Sequence, residues 1–310
     1  MIVAVVAETW GKRYPFDPPS ALMLLIFSLY GEGEAWVRVR TYPWEAQSSL
    51  SSKLGNTGAR LTDSMRHMRQ HVFYILGLQE GFTPVRVGVL YSGGKDSNLA
   101  LLRASREHSV ACLIALKPRS VESVLFHYPN VELVELQAEA LGLPLVLEES
   151  FDDEEGSLAA LRRALSRALE HHGIEGVVTG AVKSKYQADR FRAVAESLGL
   201  SCLNPLWGLD EVELLREVLA SRIVAIFTRV AGYPLSRSLL GRTLDEEAVE
   251  LLARLRSYVN PSGEGGEYET FVLDSPMFRT KIVPLEWRVV GSDYDATLLI
   301  EKAVLVEKQR

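Results

Sequence analysis

Cysteine is scarce in this chain of 310 residues, which contains only Cys112 and Cys202. Both lie in apolar runs, far from the C-x-x-C spacing of zinc and redox sites, so we predict buried thiols and a reducing compartment. The apolar run "ALMLLIFSLY" (Ala21–Tyr30) has about half the length that a membrane span needs, and no cleavable signal pattern precedes it. These absences predict a cytoplasmic protein without a membrane segment.

An excess of positive charge is missing as well. The formal net charge is -6 and the isoelectric point is near 5.7, which argues against extensive nucleic-acid contact. Trp36, Arg38 and Arg40 alternate with valines, as in a half-exposed strand, and form a small basic exception. His67 and His71 are four residues apart, but the intervening residues lack the glutamate of a zinc protease, which favours a packing or surface role.

A glycine-rich loop carries the strongest chemical signal. The stretch "GVLYSGGKDSN" (Gly88–Asn98) joins a β-branched apolar run to a segment with helical spacing. A strand, a glycine turn and a helix start direct backbone N–H groups at one point, which suits an anion. We therefore predict a phosphate-binding loop rather than an ordinary turn. Its residues are Ser92, Gly93, Gly94, Lys95, Asp96 and Ser97.

This loop is not a Walker A motif. That motif requires a glycine where Val89 stands, and Ser or Thr where Asp96 stands. Asp96 is an acidic residue beside a predicted phosphate, and two roles remain open for it: binding Mg²⁺ or capping the helix.

The order of the elements predicts an α/β fold with a parallel sheet. Strands are expected at 85–90, 110–116, 145–147, 176–179, 200–203 and 223–227, with helices between them, and the ligand is expected at the carboxyl ends of the strands. After Thr228 a helix and two long alternating runs predict a smaller α+β domain. We expect an appended N-terminal module (1–84) with an apolar helix at Ala21–Tyr30, a nucleotide domain (85–230) and a C-terminal domain (231–310).

Six short sequence motifs occur in the order and spacing that one protein family shows. They are "YSGGKDSNLALL", "FHYPN" (126–130), "VVTGAVKSKYQADR" (177–190), "NPLWGLD" (204–210), "LLGRTLDEE" (239–247) and "GEGGEYETFVLDSPMF" (263–278). The first resembles the PP-loop of the ATP pyrophosphatase superfamily, and together they resemble the diphthine–ammonia ligases. The resemblance extends from about Val85 to about Phe278. Residues 1–84 lie outside it, and "GYPLSRSLLGR" (232–242) lacks the acidic residues usual there.

The resemblance implies a defined reaction. Ligases of this family use ATP, with Mg²⁺, to activate the carboxylate of diphthine on elongation factor 2 as an acyl-adenylate, and ammonia then displaces AMP. It implies catalytic roles for Lys95, Asp96 and Glu267, with Asp96 as the metal ligand and Gly180 among the nucleotide-binding residues. The implied substrate-binding residues are Tyr186, Arg190, Arg242, Glu264, Glu267, Tyr268 and Glu269.

The loop "GEGGEYET" contrasts chemically with the glycine loop. Three glutamates, Glu264, Glu267 and Glu269, stand among glycines, which repels phosphate and attracts a cation such as the trimethylammonium group of diphthine or ammonium. A plain acidic surface turn is the alternative. Lys183, Lys185 and Arg190 follow a predicted strand. Contact with phosphate or with the protein substrate is one prediction for them, and a solvated helix face is the other.

Two other functional classes are alternatives to the amide ligase. A PP-loop enzyme that modifies tRNA predicts a basic appended domain or cysteines at metal spacing, and the chain has neither. A non-catalytic adenine-nucleotide binder does not require the Lys-Asp-Ser end of the glycine loop or the acidic loop. The ligase is therefore favoured, and the sequence gives no indication of oligomeric state or of the ammonia source.

Overall fold

A computed structural model describes the backbone of residues 2–9, 22–31 and 34–43, and residues 84–118, 130, 133–151 and 153–308 with their side chains. The chain divides into two compact units, Met1–Gly81 and Phe82–Arg310. The predicted division of the second unit between residues 230 and 231 stays a prediction. His67, His71 and the side chains of Trp36, Arg38 and Arg40 lie outside what is described.

The first unit contains an antiparallel sheet of three strands in the order β1-β2-β3. The strands are β1 (Ile2–Thr9), β2 (Leu22–Gly31) and β3 (Glu34–Pro43). The predicted helix at Ala21–Tyr30 is wrong, because β2 occupies this run and pairs along its length with β1 and β3. A continuous apolar run has no periodicity that separates helix from strand. The two residues between β2 and β3, Glu32 and Gly33, form a glycine-containing connection of hairpin length, which is the sequence feature that favours a strand here.

The second unit begins with a parallel sheet in the order β6-β5-β4-β7-β8, which confirms the predicted α/β class. Its strands are β4 (Arg86–Leu90), β5 (Ser109–Pro118), β6 (Leu145–Ser150), β7 (Gly176–Val178) and β8 (Ser201–Leu203). The helices are α1 (Lys95–Ala104), α2 (Val134–Leu141), α3 (Glu154–His172), α4 (Lys185–Glu196) and α5 (Glu211–Ala220). The strand order reverses between β4 and β7, where α/β sheets open a crevice for ligands.

A four-stranded antiparallel sheet follows, in the order β10-β9-β12-β11. Its strands are β9 (Val224–Ala231), β10 (Tyr268–Asp274), β11 (Thr280–Gly291) and β12 (Asp295–Glu307), and α6 (Glu246–Arg254) lies between β9 and β10. The expectation that 223–227 continues the parallel sheet is wrong, because β9 pairs antiparallel with β10 and β12. The hydrophobic pattern of an apolar strand is the same in a parallel and in an antiparallel sheet. The partners of β9 lie roughly 35 or more residues away in sequence, so a local sequence pattern does not reveal them.

Two apolar clusters cover the faces of the parallel sheet. Cys112, Ile114 and Leu161 belong to the cluster under α3 and α4, whereas Val89 and Leu113 belong to a larger cluster that extends to the antiparallel sheet. Each fully buried leucine or valine stabilises the fold by about 1.5–3 kcal/mol relative to exposure. Because one core continues into both sheets, the loops between them are held against each other. No helix in the described part is long and apolar enough to cross a membrane.

Candidate functional site

The glycine loop connects β4 to α1, and its backbone requires glycine. Gly93 has a φ of 83°, and a Cβ there lies 2.5 Å from Oε1 of Gln137. Gly94 caps α1, and its added Cβ lies 3.2 Å from the carbonyl oxygen of Thr270. A side chain at either position collides with neighbours or strains the backbone. Both glycines therefore let α2 and β10 approach the loop closely.

Hydrogen bonds from β10 and α2 fix the loop. The N–H of Val272 donates to the Gly93 carbonyl over 2.9 Å, and Nε2 of Gln137 donates to the same oxygen over 3.0 Å. The Lys95 N–H donates to Oγ1 of Thr270 over 3.1 Å. Sequence reasoning missed Gln137 and Thr270. Gln137 had a signal, since it shares a helical face with Val134 and Leu141 and so predicts a buried polar group that needs partners.

The serines of the loop bond within it. Oγ of Ser92 accepts from the Gly94 N–H over 3.4 Å and donates to Oγ of Ser97 over 3.3 Å. Oγ of Ser97 also donates to the Gly94 carbonyl over 3.0 Å. Both hydroxyls thus lie at the start of α1, beside the N–H groups that an anion uses.

Lys95 and Asp96 form a charge pair at the bottom of the site. Nζ of Lys95 lies 2.8 Å from Oδ2 of Asp96, donates to the Ser262 carbonyl, and stands 5.0 Å from the centre of the Tyr268 ring. Burial alone would lower the pKa of Lys95. Its electrostatic interactions with Asp96 and Tyr268 are together stronger than this effect of burial, so the pKa of Lys95 is raised. Lys95 is therefore cationic throughout the physiological range.

The second oxygen of Asp96 is free for a ligand. Oδ1 is buried and has no hydrogen-bond partner among the described residues. Burial raises the pKa of Asp96, while Lys95 opposes this shift. The Asp96 carboxylate accepts a hydrogen bond from Nζ of Lys95. The N-cap residue of α1 is Gly94, which makes no side-chain hydrogen bond, so the structure does not support a capping role for Asp96. An orphaned carboxylate oxygen beside the glycine loop fits Mg²⁺, which commonly takes one or two protein carboxylates and completes its shell with phosphates and water.

A cavity of about 370 Å³ opens above this pair, between the two sheets. One wall is apolar and is formed by Leu90, Ile114, Leu116 and Phe191. The cavity brings together nine of the predicted site residues: Ser92, Gly94, Lys95, Asp96, Ser97, Gly180, Glu264, Tyr268 and Glu269. The lining does not include Gly93, Tyr186, Arg190, Arg242 or Glu267. Gln187, which belongs to the family string 177–190, also lines the cavity, and Thr179 and Thr270 line it without having been predicted.

Gly180 brings the β7–α4 loop onto the glycine loop. A Cβ on Gly180 lies 3.1 Å from the Ser97 nitrogen and 3.2 Å from the Asp96 carbonyl carbon. This separation leaves little space for a larger residue. The two loops therefore meet at one edge of the sheet, as the sequence predicted.

The three glutamates of the acidic loop have different positions. Glu264 accepts hydrogen bonds from the N–H groups of Val182, Lys183 and Ser184, each at 2.8–2.9 Å. These N–H groups precede α4, where a negative charge is stabilised by the helix dipole. Glu264 therefore fastens the acidic loop to the β7–α4 loop.

Glu267 folds back onto its own loop. Its Oε1 accepts from the Asn260 N–H over 2.9 Å, and its Oε2 is buried without a partner in the described part. The placement does not support the predicted catalytic role, because the carboxylate turns toward residues 260–265 rather than joining the cavity lining.

Glu269 is the glutamate with a carboxylate available in the cavity. It lines the cavity, and no hydrogen bond or ion pair joins it to another residue of the described part. Burial raises the pKa of Glu269 to about 8, although Lys95 acts to lower it. Beside it, burial raises the pKa of Tyr268, whose hydroxyl donates to the Pro261 carbonyl over 2.6 Å. A carboxyl group that titrates near neutrality is suited to proton transfer.

Comparison with known proteins identifies the family. Models described as the diphthamide synthase N-terminal and C-terminal domains match residues 85–202 and 210–306. The diphthine–ammonia ligase of Rattus norvegicus is 37% identical over 220 residues, covering 64% of this chain and 82% of that protein. The Homo sapiens ligase is 34% identical over 233 residues, covering 68% and 87%. The chain belongs to the diphthine–ammonia ligase family. This confirms the expected family and, at family level, a ligase that forms a C–N bond.

Other matches differ in extent. The diphthine–ammonia ligase of Schizosaccharomyces pombe is 36% identical over 71% of this chain, but the chain spans only 39% of that longer protein. Among solved structures, a predicted subunit of tRNA methyltransferase from Methanocaldococcus jannaschii has a TM-score of 0.32 at 19% identity, covering 62% of this chain and 99% of that one. So low a TM-score supports no argument about fold or function.

Several residues of the family strings lie away from the cavity. Tyr186 and Arg190 both donate to Glu154 at the start of α3, and the Arg190 guanidinium stacks 3.3 Å from the Tyr186 ring centre. Arg242 pairs with Glu247 over 2.9 Å in the segment after β9. Asn130, the described end of "FHYPN", bonds the backbone of Leu298 and Ile300 on β12 through its side-chain amide. In this diphthine–ammonia ligase family member, these residues hold elements of the fold together. Direct substrate contact by Tyr186, Arg190 and Arg242 stays a prediction.

Proposed function

We propose that the chain is an ATP-dependent diphthine–ammonia ligase that acts on elongation factor 2 in the cytoplasm through an acyl-adenylate. One observation carries the proposal. A phosphate loop, an orphaned buried carboxylate oxygen on Asp96 and the titratable Glu269 carboxyl group converge on a single cavity at the strand reversal. An ATP-dependent amide synthesis requires these three functions at one place.

The cavity has an apolar and a polar end. Leu90, Ile114, Leu116 and Phe191 offer a surface for the flat adenine ring, and the glycine loop offers hydroxyl and N–H donors for the phosphates. Lys95 and Asp96 lie at the phosphate end, where Asp96 Oδ1 is the group that would hold Mg²⁺. The ion would neutralise phosphate charge there.

The reaction has two steps. A carboxylate oxygen of diphthine attacks the α-phosphorus of ATP, and the bond to the β-phosphate oxygen breaks, so pyrophosphate leaves. Lys95 and the donors at the start of α1 stabilise the charge that develops, and each such donor contributes about 3 kcal/mol by analogy with an oxyanion hole. Ammonia then attacks the acyl carbon, AMP leaves with the former carboxylate oxygen, and the nitrogen loses a proton.

Glu269 is the group that we assign to the incoming nitrogen. Ammonium must lose a proton before its nitrogen can attack, and Glu269 is a cavity-lining carboxylate with no partner in the described part. When it ionises, near pH 8, the anion attracts ammonium and then accepts the proton. Tyr268 lies beside it, and its ring contacts the Lys95 ammonium group, which stands 5.0 Å from the ring centre.

The test uses elongation factor 2 that bears diphthine, with ATP, Mg²⁺ and ammonium. We expect AMP and amide in equal amounts, and transfer of heavy oxygen from a labelled diphthine carboxylate into AMP. ADP with orthophosphate as the primary products would contradict the proposal, and so would unlabelled AMP. Glu250→Gln, which changes an exposed carboxylate outside the cavity lining, is the control for variants of the cavity glutamates.

A further inference from the structure

An exposed tryptophan stands on a turn that the fold holds rigidly. Trp207 is 47% exposed, although its neighbour Leu206 is fully buried. Arg103 donates to the Pro205 carbonyl over 2.6 Å, and the Gly208 N–H donates to the Val182 carbonyl over 2.8 Å. The turn is therefore fixed on both sides of Trp207, and its backbone is bonded to a residue of the cavity wall.

A second exposed aromatic residue precedes the acidic loop. Tyr258 is 72% exposed, while the next residue, Val259, is buried in the core. The Tyr258 N–H donates to the Leu255 carbonyl over 2.8 Å, and Asn260 is bonded to Glu267. This segment also holds its backbone in place while presenting the ring to solvent.

Polar contacts link the two segments to each other and to the cavity. Arg256 lies 3.8 Å from Asp210, which joins the segment of Tyr258 to the end of the tryptophan turn. Lys183 pairs with Glu211 over 2.7 Å, and its N–H donates to Glu264 over 2.8 Å. Since Glu264 and Val182 line the cavity, Trp207 and Tyr258 lie on segments that continue directly into its wall.

Other exposed aromatic side chains of the second unit are placed differently. Tyr233 and Tyr294 pack edge to face with ring centres 5.4 Å apart, and Tyr186 is bonded to Glu154. Trp287 lies on β11, at the edge of the antiparallel sheet, and is not bonded to the cavity wall in the described part. Trp207 and Tyr258 thus combine exposure with attachment to the cavity wall.

We propose that Trp207 and Tyr258, termed the aromatic rim, form the docking surface for the folded protein substrate. The inference rests on the proposed function, because a side chain that enters the cavity brings the surrounding surface of its protein against the adjacent segments. Rigid, exposed Trp and Tyr side chains are the residues that most often dominate binding at protein interfaces. Contacts remote from the reacting carboxylate also help to position it.

The experiment compares Trp207→Ala, Tyr258→Ala and the double variant with Trp287→Ala, which removes another exposed tryptophan, 56% exposed against 47% for Trp207. Binding of the factor to the full chain is measured directly in the presence of AMP, and steady-state kinetics are measured with saturating ATP and ammonium. We expect each rim variant to weaken factor binding by about 10-fold, which corresponds to about 1.4 kcal/mol. The loss is expected in KM for the factor, with kcat and ATP affinity within about twofold of wild type.

Trp207→Phe is expected to recover part of the binding, because a ring is retained. Unchanged factor affinity in the double variant overturns the inference, and so does a fall in kcat at constant KM, which indicates a role in shaping the cavity. An equal loss in Trp287→Ala overturns it as well. If the wild type binds the factor through the aromatic rim but forms no AMP, the proposed function is contradicted and the docking surface is supported. Failure of the proposed function can therefore be distinguished from failure of the docking surface.

Discussion

The glycine loop and the acidic loop face each other across one cavity, yet they use their residues differently. In the glycine loop, Ser92, Lys95, Asp96 and Ser97 all line the cavity. In the acidic loop, Glu264 and Glu267 bond to backbone N–H groups of the protein, and Glu269 alone of the three keeps a carboxylate without a partner in the described part. Similar residues in one motif therefore need not share one role.

The two loops are also physically joined. Lys95 donates to the Ser262 carbonyl, and its ammonium group stands 5.0 Å from the Tyr268 ring centre. Thr270, the last residue of the acidic loop, accepts the N–H of Lys95 over 3.1 Å. A change in one loop is thus transmitted to the other through a single buried lysine. Variants that separate chemistry from positioning can test the comparison.

The largest effect is expected at Asp96. Asp96→Asn keeps the shape of the side chain but removes the negative charge that Mg²⁺ requires, so we expect kcat to fall by at least about 100-fold. Formation of AMP is measured against Mg²⁺ concentration, and thermal unfolding shows that the variant is folded. Activity within tenfold of wild type at low Mg²⁺ would place the metal elsewhere.

Glu269→Gln is expected to give the next largest effect, confined to the second step. Gln cannot accept the proton of ammonium, so kcat/KM for ammonium should fall by about 100-fold, as is typical for loss of a general base. Hydroxylamine is neutral near pH 7 and needs no prior deprotonation, so it should restore turnover as the nucleophile. Exchange of pyrophosphate into ATP, which reports the first step, should persist. Loss of this exchange would place Glu269 at the nucleotide instead.

The pKa of Glu269 gives the same variant a pH signature. Burial raises the pKa to about 8 in the folded chain, against 4.5 in the unfolded one. Between these pH values the folded state binds the extra proton, so the free energy of unfolding decreases as pH rises through this window. Activity with ammonium should rise as pH increases through about 8, where the proton acceptor ionises. The stability slope should flatten in Glu269→Gln, whereas the activity slope should fall only to the slope that the ionisation of ammonium itself causes. A stability slope that persists would assign the titration to another group.

Glu264→Gln tests positioning. The charged carboxylate accepts three N–H groups at the start of α4, and an amide replaces one acceptor oxygen with a donor facing Lys183 N–H. We expect a loss of about 1–2 kcal/mol in stability from the weakened hydrogen bonds. The acidic loop then sits less firmly over Lys95, and kcat/KM should fall by about tenfold with ammonium and hydroxylamine alike. Selective loss with ammonium would give Glu264 the role assigned to Glu269.

Much of the glycine loop was predictable because its chemistry depends on the backbone. A strand end, two glycines and a helix start are local properties, and they located Ser92–Ser97 correctly at the edge of a parallel sheet. The neighbours of the loop were not predictable. Thr270 and Gln137 reach it from β10 and α2 through contacts 175 and 44 residues apart in sequence. The position of Glu264 was not predictable for the same reason, because its partners lie in the segment before α4.

Glu267→Gln is expected to have the smallest effect, and it bears directly on the predicted catalytic role of this residue. Oε1 of Glu267 accepts the Asn260 N–H, and an amide oxygen can accept the same bond. The buried Oε2 has no partner in the described part, so replacing it with an amide removes a poorly stabilised charge while adding a donor, and the two changes offset each other. We expect unfolding free energy within about 1 kcal/mol of wild type and kcat/KM within about threefold.

Glu267→Ala, which removes the acceptor itself, should destabilise the chain by about 1.5–3 kcal/mol, the value for a hydrogen bond to a charged group. Both variants are compared by denaturant unfolding and by AMP formation. A folded Glu267→Gln variant with kcat reduced by about 100-fold would restore the catalytic role and show that the acidic loop rearranges when substrate binds.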